Sequence, residues 1–160
     1  MCIANIERVS TIQPLIAYKV LLDININKEP VSHIVTPFQF TRIPDSVLSG
    51  ETEFKANTVR FYGNVKPGGF IVDGYIHTYK SIIALVDDYY DYYLPLIKRR
   101  NNDYTYYYNY KVLIYKCEIP KDVECWVGEF DHVPGNICYA STAIKFLNQV
   151  TVEELEQEIK

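Results

Sequence analysis

His77 stands three residues after Gly74 and four before Ser81, in the segment GYIHTYKS, which reads as a strand running into a helix start. An imidazole placed there titrates near neutrality and could hold a ribose hydroxyl or act as a general base. The plainer alternative is a structural histidine bonded to a backbone carbonyl. Tyr79, in the same segment, joins His77 as a binding candidate. Glu118, Glu124, Glu129 and Asp131 gather around the turn at Pro120-Lys121-Asp122. Two carboxylates can divide acid and base roles when their surroundings push their pKa values apart. Charges that keep a sheet edge soluble are the commoner reason for such a cluster.

Cys117, Cys125, His132 and Cys138 have the donor types that zinc prefers, at spacings of 8, 7 and 6 residues. None of these spacings is the close CxxC pairing that sets two ligands on one turn. No metal is assigned, and Cys2 with the other three is expected to be a reduced, free thiol. Lys66-Pro67-Gly68-Gly69 has amides that could cradle a phosphate but lacks a Walker or GxGxxG pattern, so it reads as a turn. Ser141 and Thr142 offer hydroxyls without an activating partner in view.

Ten of the fifteen tyrosines fall between Tyr89 and Tyr115. In a strand, Tyr104, Tyr106, Tyr108 and Tyr110 share one face, and Lys98, Arg99 and Arg100 lie just before them. Tyr106 and Tyr108 with Arg99 and Arg100 could stack a base or form a protein interface, where tyrosine is enriched. Cross-strand packing in an aromatic sheet is the structural alternative.

These residues need a scaffold. LIAYKVLLDI at 15–24 reads as the first core strand, residues 25–53 as loop-rich with an edge strand in HIVTPFQFTRI, and 54–62 as a further strand. After the strand at 75–79, Ser81 caps a helix on which Ile82, Leu85, Val86, Tyr89, Tyr90 and Tyr93 recur, ending near Pro95. Strands follow at 104–119, 123–130 and 137–147. Thr151 and Glu154 then form a capping box for a short acidic helix. The expected fold is α+β, a mostly antiparallel sheet packed with one main helix and closed by a short C-terminal helix. It is one domain over 1–160, with 151–160 an exposed helix or tail. Segments 74–79, 112–119, 123–130 and 137–147 are expected side by side in one sheet.

Composition narrows the classes. The chain has 160 residues, 48% hydrophobic and 22% charged, which suits one folded domain and excludes full disorder. No apolar run reaches the roughly 20 residues of a membrane-spanning helix. A net charge of −4 makes nucleic acid an unexpected partner. Glu7 and Arg8 interrupt the place where an export signal would need an apolar run, so a cytoplasmic location is expected.

GYIHTYKSIIAL at 74–85, YKCEIPKDVECWVGE at 115–129 and CYASTAIKFL at 138–147 together resemble a loose group of small uncharacterised proteins from gut Bacteroidetes and their phages. That resemblance implies a phage or mobile-element accessory protein. A more distant likeness is to the ADP-ribosyltransferase-like fold, in which a strand ending in a Pro-Lys/Arg-Gly turn closes a nicotinamide pocket. It would imply NAD as cofactor, with His77 and Glu118 as catalytic residues. The family's glutamate position, about four before the proline, holds Lys116 here, and Tyr18 and Lys19 stand where its first strand has an arginine or histidine. Both departures argue against transferase chemistry. The expected function is a non-catalytic binding or interaction module without a cofactor, recognising a nucleotide-type ligand, a protein partner or a second copy of itself. An NAD-using enzyme and a single-stranded nucleic-acid binder are its alternatives.

Overall fold

Two stretches, LIAYKVLLD and KVLIYKCEI, are rich in apolar and branched residues on both parities, the text that a strand largely covered on both faces requires. They pair with each other along their whole length and form the spine of the sheet. The computed structural model describes residues 3–24, 34–36, 41–56, 65–71, 74–89, 111–130 and 133–159. Among them are the strands β1 (Ile3–Val9), β2 (Leu15–Asp23), β3 (Ile34–Val35), β4 (Phe54–Lys55), β5 (Ile76–Tyr79), β6 (Lys111–Ile119), β7 (Cys125–Phe130), β8 (Val133–Ser141) and β9 (Ala143–Gln149). The described helices are α1 (Asp45–Leu48), α2 (Ile82–Tyr89) and α3 (Val152–Ile159). The sheet runs β1-β7-β8-β5-β2-β6-β9-β4, with β3 attached to β2, and every described pairing is antiparallel.

This overturns the α+β expectation of a sheet packed with one main helix. The molecule is mostly antiparallel sheet, and its helices are short. Two features shift the balance. IANIERV forms a full edge strand on β7 although its apolar alternation is weak. The single strand expected at 137–147 is two strands that part at Thr142 and join different neighbours. The helix from Ser81 is described only as far as Tyr89; its expected continuation to Pro95 lies outside the described residues. Ser81 does cap it, accepting from the Ala84 N–H at 3.0 Å.

The four expected neighbours do share one sheet, but the turn at Pro120-Lys121-Asp122 does not fold β6 and β7 into a hairpin. β6 lies between β2 and β9, whereas β7 lies between β1 and β8. The strand expected at 54–62 is described over Phe54–Lys55, and the one expected at 104–119 over Lys111–Ile119.

The sheet is strongly curled. Ser141 ends β8 and Ala143 begins β9, so the chain separates them by no more than about 7 Å. Four strand spacings lie between β8 and β9 in the sheet order, which a flat sheet would spread over about 19 Å. The Thr142 N–H donates to Glu124 O at 3.2 Å, tying the bend to the start of β7. Inside the curl, Ala17, Leu21, Ile76, Leu113, Cys117, Cys125, Tyr139, Ile144 and Phe146 form one core, which Val47 of α1 joins. The other face buries Val20, Leu22, Ile114, Ala140 and Trp126 beneath Ile82 and Leu85 of α2 and Leu155 of α3.

The capping box forms as expected: the Thr151 N–H donates to Glu154 Oε2 at 2.8 Å and the Glu154 N–H to Thr151 Oγ1 at 3.1 Å. The helix it starts is anchored, because Leu155 is 1% exposed within the core. No helix among the described residues is long and apolar enough to cross a membrane.

Candidate functional site

Side chains alternate along β2, so Lys19 points to the same face as Ala17 and Leu21, into the curl. It is 9% exposed. β2 and β5 share one registered pair, Tyr18↔Tyr79, and then separate. The Lys19 Nζ fills that seam by donating to His77 O at 3.0 Å. Burial lowers its pKa from 10.5 to about 8, and the neighbouring Cys117 acts weakly the other way. Burial also pushes the Cys117 and Cys125 thiols up to about 12, which keeps both protonated at neutral pH.

The registers set Lys19 in a row of polar side chains across the enclosed face. Tyr115 is its partner on β6, and the Tyr18↔Tyr79 pair sets Thr78 beside it on β5. Tyr139 of β8 is the partner of Thr78. Thr78 is 1% exposed and its Oγ1 has no hydrogen-bond partner. The phenols of Tyr139 and Tyr115 are shifted upward, Tyr139 by burial and then by Cys125, Tyr115 by burial and then by the charge of Asp23. Above and below this row the face is mostly apolar; its further polar members are Ser141, at the bend, and Asp23, whose Oδ1 is buried without a hydrogen-bond partner.

His77 and Tyr79 alternate to the opposite, helix-covered face, where Tyr79 is buried in the core and His77 is half-buried. Glu118 is half-buried on that same side of β6. It faces Ile16 on β2, while His77 falls opposite Val20 when the β2–β5 register is continued. Four residues along the strand and two strands across separate them by about 16 Å. They are not a pair that can act on one bond. Tyr106, Tyr108, Arg99, Arg100, Asp131 and His132 lie outside the described residues.

Of the other carboxylates, Glu124 is a local acceptor. It takes the Tyr75 hydroxyl, the Trp126 Nε1–H at 3.4 Å and the Arg8 guanidinium at 3.3 Å. Glu129 accepts from the Gly135 N–H at 3.1 Å. The Lys66–Gly69 turn has no amides to spare for a phosphate along its tip. Gly69 N–H bonds Lys66 O at 3.0 Å, and Gly68 N–H bonds Ile6 O at 2.7 Å. The hydroxyl of Ser141 donates to Ala143 O at 3.0 Å and braces the bend. Cys117 and Cys125 face the enclosed core while Cys138 faces the helices, so these thiols do not converge. Among the described residues no three metal-ligating side chains come together.

Motif reading meets Lys19 only as a departure from the transferase pattern and gives it no role. Its one signal is parity: a lysine two residues from Ala17 and from Leu21, on the side of the strand that is mostly apolar. Comparison with protein-family models, curated proteins and solved structures finds no match to this chain.

Proposed function

We propose that this chain is a non-catalytic binding module that takes a small ligand inside its curled sheet. The observation that carries this reading is the buried row Lys19, Thr78 and Tyr139 in a mostly apolar interior. A core selected for stability alone gains nothing from an ammonium and an unpaired hydroxyl, each of which costs free energy to bury. Ligand sites have this composition: mostly apolar walls with a few placed polar groups. The roughly 16 Å between His77 and Glu118, and thiols held protonated at neutral pH, weigh against acid–base or covalent chemistry on NAD.

The test is a thermal-shift panel of NAD, ADP-ribose, cyclic nucleotides, monosaccharides, fatty acids and aromatic acids on the whole chain. A ligand at 100 times its Kd adds about 2.7 kcal/mol, which raises Tm by roughly 5–10 °C for a domain of this size. One responding class is the expected result. A silent panel together with a dimer in light scattering would replace the ligand by self-association.

A further inference from the structure

We infer that Lys19, Thr78 and Tyr139 seat the carboxylate of a small apolar acid, an inference that rests on the binding reading above and names its ligand class. Each residue contributes a donor to the same enclosed face from adjacent strands: β2, β5 and β8. The Lys19 ammonium has three N–H donors, and the hydrogen bond described for it is the one to His77 O at 3.0 Å. The Thr78 hydroxyl beside it has no partner at 1% exposure. A group that meets both would accept a hydrogen bond from each.

Charge decides what that group is. A water would satisfy the donors but leave a buried ammonium unneutralised, and buried charges are ordinarily paired. A cation is repelled. A carboxylate has the single negative charge and two acceptor oxygens, one for the ammonium and one for a hydroxyl. A phosphate ester would bring a second charge for which this row has no second cation. Ala17, Leu21, Ile76 and Leu113 of the same face are aliphatic and suit an alkyl or aryl body on the acid, while Asp23 lies four residues along β2 from Lys19, away from the seat.

The experiment titrates the whole chain with octanoate and benzoate, and separately with octanamide and benzamide, reading Tm and calorimetric heat. Lys19→Met keeps the length of the side chain and removes the charge. Thr78→Val keeps the shape and removes the hydroxyl. The expected result is that the acids stabilise the native chain and the amides do not. Lys19→Met should abolish the response and Thr78→Val should weaken affinity about tenfold. If Lys19→Met does not fold, Thr78→Val reads the same site. Equal responses to acids and amides, or an acid response that survives both substitutions, overturn the acid seat while leaving a ligand within the module. If neither series binds, the acid class falls; the binding reading falls with it only if the broader panel is silent as well.

Discussion

The Nζ of Lys19 donates to the backbone oxygen of His77 at 3.0 Å across the seam between β2 and β5. The two strands share the pair Tyr18↔Tyr79 before they part, and further along β2 pairs with β3 at Leu22 and Asp23. The side chain thus completes, from inside the curl, a link that the backbone ladder does not continue. This couples the one buried ammonium described on the enclosed face to the strand that carries Thr78.

That ammonium predicts a distinct pH response. Below pH 8 Lys19 is charged in the folded and unfolded chains alike, and its burial cost is fully present. Between about 8 and 10.5 the folded lysine releases its proton while the unfolded one keeps it, so its contribution to stability rises with pH. The upward-shifted Tyr18, Tyr115, Tyr139, Cys117 and Cys125 act in the opposite sense as they titrate. The measurable quantity is therefore the difference between the native chain and Lys19→Met in urea denaturation. It should move towards the native chain by about 3 kcal/mol from pH 7.5 to 10.5. A difference that stays constant would show that Lys19 is not buried as described.

Gly128 of β7 packs against β1. A Cβ there would stand 2.5 Å from Ile3 Cγ2 and 2.6 Å from Ala4 O. Ile3 is fully buried and the other neighbour is backbone, so neither yields at little cost. Gly128→Ala should lose about 1–3 kcal/mol, seen as a lower urea midpoint at unchanged slope. A neutral substitution would mean that β1 is not fixed to β7.

The thiols give a chemical readout of the same architecture. Cys117, Cys125 and Cys138 are buried and free, and burial keeps the first two protonated. Reaction requires the thiolate. Ellman's reagent at pH 7.5 should leave these three unlabelled in the native chain and label them in urea, as peptide mapping can resolve. Rapid native labelling of Cys117 would contradict an enclosed face between β2 and β9.

Strand text and caps were legible because they depend on local order. The apolar density of 15–23, the hydroxyl of Ser81 and the Thr151/Glu154 pair each act within a turn or a strand. The sheet order was not legible, because Ile119 and Cys125 lie six residues apart and still join opposite halves of the sheet. Nothing local distinguishes that crossing from a hairpin. The split at Thr142 was hidden for the same reason, since apolar text continues through a bend that only neighbouring strands enforce. The row Lys19–Thr78–Tyr139 joins three segments distant in sequence, so no spacing rule could assemble it. His77 and Glu118 illustrate the converse: each sits in suggestive local text, and the register places them far apart.

The last prediction separates the two ways in which α3 is held. Its capping box satisfies N–H groups at an exposed helix start, an arrangement for which threonine to alanine costs about 1 kcal/mol. Leu155 is fully buried among Val20, Val112 and Leu85, and leucine to alanine in such a site costs about 2–5 kcal/mol. Glu154 and Glu158 also lie close enough to Tyr18 to help raise its pKa, after burial, so the helix rests over β2. Urea denaturation should therefore rank Leu155→Ala well below Thr151→Ala, with both variants unfolding in one transition. If Leu155→Ala were as mild as Thr151→Ala, α3 would be a loosely attached tail and the helix-covered face of the sheet would lose part of its roof.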